Sequence, residues 1–174
     1  MNQVPEVLSP GWRRIGLGGG CHWCTEGVFV SLRGVERVEQ GWIASEAPQD
    51  AFSEAVIVHY DPTVVAVADL IAVHLETHAA TKNHGLRHRY RSAVYYFSAE
   101  EAERYRSILT DLAATYTEPL VTTVLPFRSF KPSLPEHLDY YRTDPDRPFC
   151  QRYITPKLNQ LRRTSGHLLR EADD

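Results

Sequence analysis

The sequence predicts an α+β domain built as a two-layer α/β sandwich. Three observations carry that prediction. Runs rich in β-branched and aromatic residues alternate with amphipathic stretches in the order β-α-β-β-α-β-α-β, which lays helices on one antiparallel or mixed sheet with a ferredoxin-like core. The chain has 174 residues, 43% of them apolar, enough for a single domain whose core needs no staples. Beyond the last expected strand the composition turns to proline, tyrosine and charge, which predicts a long irregular C-terminal segment.

Arg13–Leu17 reads as a short strand running into Gly18-Gly19-Gly20, a strand-to-helix corner of the kind glycine permits. Thr25–Leu32 carries Val28, Phe29 and Leu32 at helical spacing. Val35–Ile43 and Phe52–Tyr60 read as strands split by the polar loop Ala44–Asp50. Asp61-Pro62-Thr63 starts a helix with Val67, Leu70, Ile71, His74 and His78 on one face, and Ala79–Arg89 is a polar loop rich in His, Lys and Arg. Ser92–Phe97 is a strand by its β-branched and aromatic content. Ser98 opens a helix with Glu101 completing a capping box, and Tyr105, Ile108, Leu109 and Leu112 form its buried stripe. Val121–Leu125 is the last expected strand, Pro126–Cys150 is expected to be irregular but packed, and Gln151–Leu169 weakly helical. The plan is one catalytic domain: a tail over 1–12, an α/β core over 13–126, and a C-terminal wrap over 127–174 that carries Cys150.

Charge narrows the function classes. With 19 basic and 22 acidic side chains the net charge is −3, which makes no electrostatic case for nucleic acid. No stretch approaches the ~20 apolar residues that span a bilayer, and Met1–Arg14 has no apolar h-region. A cytoplasmic monomer is expected. Cytosolic thiols stay reduced, so the three cysteines read as catalytic, redox-active, metal-binding or inert core.

Cys21 follows three glycines and opens a helix. Free N–H groups and the positive end of the helix dipole favour negative charge there. A thiol so placed ionises more readily than its reference value of roughly 8.5, and the thiolate is the reactive form. Cys24 lies one turn on, placed to close a disulfide with an oxidised Cys21. Two alternatives stay open: small residues filling a helix start, and a metal site completed by His22, His137 and Cys150, although the second paired half usual for zinc is missing.

Glu54 alternates onto one strand face with Val56 and Val58. A carboxyl on an apolar face should hold its proton toward neutrality, as a general acid must; the bland alternative is a strand-end glutamate tilted into water. Tyr90 begins the strand after the basic loop and offers a phenol at a cleft mouth, or simply amphipathic packing. His74 and His78, at i and i+4, have metal-ligand spacing but no third ligand nearby and read as packing. Lys82–Arg91 reads as a solvated loop able to steer an anion.

Gly18–Glu26 (GGGCHWCTE) resembles the nucleophile motif Gly-Cys-Phe-Trp of the A-type peptide methionine sulfoxide reductases, often continued Cys-Thr-Glu. The resemblance extends through Ser53-Glu54-Ala55-Val56, His59-Tyr60-Asp61-Pro62, Arg89-Tyr90-Arg91-Ser92-Ala93, Phe130–Tyr140 and Pro148–Lys157, in collinear order from about residue 15 to 161. It implies reduction of methionine S-sulfoxide, free or in protein. Cys21 would be the nucleophile, Glu54 the acid, Tyr90 a holder of the sulfoxide oxygen, and Cys24 or Cys150 the resolving thiol. Thioredoxin, or dithiothreitol in vitro, would be the reductant, with no metal or organic cofactor. Trp23 and His22, Trp42 and His137 would line the substrate pocket.

The departures from that pattern fall in the pocket. His22 replaces a phenylalanine of the methyl-binding wall, and Trp42 replaces a tyrosine, so an indole N–H that donates but cannot protonate stands in for a phenol. Gly85 and Ala79 stand where the family carries aspartates. The remaining readings are a C-x-x-C thiol–disulfide oxidoreductase, a reductase of another small sulfoxide, and a metal-binding or redox-sensing module using Cys21, Cys24, Cys150 and His137.

Overall fold

The computed structural model describes residues 11–171, so the expected N-terminal tail and the last residues lie almost wholly outside the described part. Six strands, β1 (Arg13–Gly18), β2 (Val35–Ala44), β3 (Ser53–Tyr60), β4 (Ala93–Tyr96), β5 (Thr123–Pro126) and β6 (Ser129–Pro132), form one sheet in the order β5-β4-β1-β3-β2-β6. All neighbours are antiparallel except the parallel pair β4–β5. The central order β4-β1-β3-β2, with α1 (His22–Phe29) and α2 (Val67–Glu76) in the crossovers, is the ferredoxin-like arrangement the β-α-β-β-α-β order predicts. Further along come α3 (Ala99–Ala113), α4 (Tyr140–Thr143) and α5 (Thr155–Ser165).

β3 sits between β1 and β2 and is buried over its whole length. Its alternation divides the core. Val56 and Val58 join Ile15, Leu17 and Val94 under the helices, meeting Val28 and Phe29 of α1, Leu70 and Ile71 of α2, Tyr105 of α3 and Leu158 of α5. Ala55 and Ile57 face the other way, toward Ile43, Tyr95 and Phe130. Each fully buried Val or Ile contributes about 1.5–3 kcal/mol. The capping box is present: the Glu101 carboxylate accepts the Ser98 N–H at 2.9 Å.

The C-terminal half of the sequence plan needs correcting. The expected strand at Val121–Leu125 forms at Thr123–Pro126, and the stretch beyond it is not wholly irregular, because Ser129–Pro132 pairs with the far edge of the sheet. Two residues, Phe127 and Arg128, therefore join strands at opposite edges. Laid flat, five strand spacings span about 24 Å, whereas three residue steps reach at most about 11 Å. The sheet must curl about the Ile57–Tyr95–Phe130 side so that its edges approach. β6 was hidden because Phe130 is its only apolar residue; what admits it is Gly41 on β2, where a Cβ would lie 2.1 Å from the Lys131 carbonyl oxygen. Past β6 a 3-10 turn (Pro135–His137), α4 and a π-helical turn (Cys150–Ile154) wrap back over α1 before α5. Helix α5 covers Thr155–Ser165, shorter than expected. No helix among the described residues is long and apolar enough to cross a membrane.

Candidate active site

The Gly18–Gly20 corner links β1 to α1 and presents Cys21 at the helix N-terminus. Gly19 has φ +153°, and a Cβ there would lie 2.5 Å from the His78 ring, so only glycine fits. The corner is held from beneath. His74 Nε2 donates to the Gly18 carbonyl at 2.7 Å, Arg87 donates to the Gly19 carbonyl at 2.8 Å, and His78 meets Ser92 Oγ at 2.8 Å. Burial drives both imidazoles down, His78 to about 4, so both are neutral at pH 7. These two histidines are hydrogen-bonded floor.

The Cys21 thiol is lowered to about 7. Hydrogen bonding from the Cys24 side chain is the largest cause, followed in the same sense by the backbone N–H groups of Cys24 and Trp23; burial and the Glu54 charge oppose it. The same bond and burial push Cys24 far up. One thiol is thus activated at the expense of its neighbour, and the helix N-terminus acts through individual N–H donors. Cys150 is fully buried in the cluster that contains Cys24, and burial raises its thiol.

Glu54 lies on the helix-facing side of β3, opposite Trp42 in register, and is 4% exposed. It is not a lone carboxyl among apolar side chains, as its sequence context implies. Arg89 Nε donates to Oε2 at 2.9 Å, and the His22 backbone N–H donates to Oε1 at 3.2 Å. The His22 ring Nδ1 is 3.1 Å from Oε1 but off the line of a hydrogen bond, so it is close without being satisfied. Burial pushes the His22 imidazole down, leaving it a neutral aromatic wall, edge-on to Trp42 with centroids 5.0 Å apart.

Trp23 is boxed by Tyr140, stacked at 4.4 Å, and by Phe149 and His137 edge-on at 5.5 and 5.4 Å. A cleft of about 630 Å³ opens between these groups, lined by Cys21, His22, Trp23, Trp42, Glu54, Arg89, Tyr90, His137 and Phe149. The structure therefore gathers the expected nucleophile, carboxyl, phenol and pocket residues around one space, and leaves Cys24 and Cys150 behind it. Tyr90 sits in the loop before β4 and not in the strand, with burial raising its phenol. Sequence reading missed Arg89 and Phe149. Arg89 is 35 residues from Glu54, beyond any periodicity signal, and reaches it because its carbonyl accepts the Glu54 N–H at 3.0 Å. No group of three or more His, Cys, Asp or Glu side chains that could hold a metal ion occurs among the described residues.

The family model of peptide methionine sulfoxide reductase matches residues 13–168. Among curated relatives, a peptide methionine sulfoxide reductase MsrA of Thermus thermophilus is 35% identical over 168 residues, covering 88% of this chain and 96% of the relative. An MsrA of Deinococcus radiodurans is 32% identical, covering 87% and 82%. Among solved structures, methionine sulfoxide reductase A of Corynebacterium diphtheriae superposes with a TM-score of 0.67 at 25% identity, covering 79% of this chain and 77% of that one. Reduced Mxr1 of Saccharomyces cerevisiae, at 19% identity, shares the fold with a TM-score of 0.70 over 83% and 93%; the same yeast protein is also known in complex with Trx2. The chain belongs to the peptide methionine sulfoxide reductase family.

Proposed function

We propose that the protein reduces methionine S-sulfoxide to methionine through a cysteine sulfenic acid, and that an external dithiol restores it. The observation that carries this reading is the activated Cys21 thiol in one cleft with Glu54 and Tyr90, beneath the Trp23 wall. The Cys21 thiolate attacks the sulfoxide sulfur while a proton from Glu54 goes to the oxygen. The oxygen then passes from the substrate sulfur to the Cys21 sulfur as the S–O bond and the transient Cys21–substrate S–S bond break, so methionine leaves and Cys21 is left as the sulfenic acid: methionine sulfur gains two electrons and Cys21 loses them. Tyr90 and the Trp42 indole donate to the oxygen as its charge grows, where pre-aimed donors are worth most. The Cys24 thiol then attacks Cys21, forming the disulfide and releasing water.

Cys150 lies buried in the same cluster as Cys24. We read it as a relay that passes the disulfide on to thioredoxin by exchange. The yeast relative's complex with Trx2 supports that partner. The scheme needs neither metal nor organic cofactor, and suits a cytoplasmic monomer whose three thiols stay reduced.

The test is a single turnover without reductant. Fully reduced protein is mixed with each sulfoxide epimer, and methionine formed and thiols lost are counted. About one methionine and two thiols lost per chain, from the S epimer only, is expected. Intact thiols and no methionine from either epimer would overturn the reading.

A further inference from the structure

The loop that closes the cleft carries three arginines with different commitments. Arg87 spends its donors on the carbonyls of Lys82, Gly19, Tyr90 and Ala79. Arg91 spends its donors on Tyr95 Oη and the carbonyls of Ala51 and Ile43. Arg89 alone of the three commits a single donor, Nε, to Glu54. Its side chain is 63% exposed, and its Nη groups meet no partner among the described residues.

That guanidinium is also held in place. The Arg89 N–H donates to the Leu86 carbonyl, and its own carbonyl accepts from the Glu54 N–H and Ser53 Oγ. The Tyr90 ring lies beneath, with Cζ 5.1 Å from its centroid. With Nε tied to Glu54 and Arg89 lining the cleft, the Nη groups remain as donors in a planar fork whose geometry matches a carboxylate. The surroundings agree. Among the described residues Glu54 is the only acidic side chain lining the cleft, and its Oε2 is already paired with Arg89; Lys131 adds a second cation 5.6 Å over Trp42.

We propose that Arg89 is a carboxylate-binding residue that sets substrate class: the cleft favours sulfoxides with a carboxylate near the sulfur, free or chain-terminal methionine sulfoxide, over the same residue inside a peptide. This rests on the reductase reading above. In free methionine sulfoxide the carboxylate is four bonds from the sulfur, and with the sulfoxide oxygen at Glu54 the neighbouring guanidinium lies along the backbone end of the substrate.

The experiment compares kcat/KM for free methionine S-sulfoxide, its N-acetyl derivative and the neutral N-acetyl methylamide, with dithiothreitol as reductant, in the wild type, Arg89→Lys and Arg89→Gln. Because Arg89 also touches Glu54, the readout is the carboxylate-to-amide ratio within each protein. A roughly tenfold preference for either carboxylate substrate, weakened by salt, is expected for the wild type. The ratio should persist in part in Arg89→Lys and fall toward one in Arg89→Gln. The faster of the two carboxylates then identifies the free amino acid or the chain end. Equal rates in the wild type, or an unchanged ratio in Arg89→Gln, would overturn the proposal while leaving the reductase reading standing. Reduction of none of the three would overturn both.

Discussion

Gln40 of β2 donates its side-chain amide to Glu26 of α1 at 3.1 Å and to the His137 carbonyl at 3.1 Å. The same Glu26 carboxylate accepts the backbone N–H groups of Asp139 and Tyr140 at 3.0 and 3.2 Å. One buried pair thus fastens the sheet, the helix that Cys21 opens and the segment that brings His137 and Tyr140 against Trp23. Glu26→Ala strands these donors in a buried place. It should cost about 2–4 kcal/mol in urea unfolding, and raise KM more than it lowers kcat because the Trp23 box loosens. An unchanged KM would mean the wall stands without the clasp.

The Cys24 thiol is the largest influence lowering Cys21 to about 7. Alkylation of Cys21 should therefore reach half its maximal rate near pH 7, falling tenfold per unit below that as the thiol protonates. Cys24→Ala removes the donor and should move the midpoint up; Cys24→Ser keeps a donor and should move it less. Iodoacetamide rates across pH 5 to 10, followed by mass spectrometry, measure both.

Glu54→Gln keeps the shape but cannot deliver a proton. Methionine formation in a single turnover should slow about 10²- to 10⁴-fold, while Cys21 alkylation stays fast, since Glu54 only opposes the thiolate. Sulfoxide reduction at the wild-type rate would assign the acid elsewhere.

Disulfide mapping addresses the resolving step. In Cys150→Ser protein treated with sulfoxide, a Cys21–Cys24 bond should form at the wild-type rate, with only recovery by thioredoxin slowed. A Cys21–Cys150 bond with Cys24 free in the wild type would remove Cys24 from the scheme.

Gly41→Ala forces a Cβ toward the Lys131 carbonyl. It should detach β6 at a cost of about 1–3 kcal/mol, with faster hydrogen exchange at the amides of β6 and β2 and little change in β1 or β4. Uniform acceleration across the sheet would mean β6 is integral to the core.

Much of this protein is legible in the amino-acid order because it depends on local periodicity. The alternation in β3 sets which face Glu54 shares with Val56 and Val58, the glycine run sets the corner under Cys21, and the Ser98–Glu101 box starts α3. Each is a property of a few consecutive residues, so pattern and spacing suffice. What only the tertiary structure decided joins distant segments. β6 exists because β2 has an open edge with a glycine in it, which four residues containing a single phenylalanine do not announce. Arg89 became Glu54's partner because backbone pairing across 35 residues set them side by side. Phe149 and Tyr140 reached Trp23 only because Glu26 and Gln40 fold the C-terminal segment back over α1. The sequence by itself determined the glycine corner that presents Cys21 at a helix start, and the layers. The packing of remote segments decided the charge around the carboxyl and the walls of the cleft, because ion pairs and aromatic contacts act through space and leave no period along the chain.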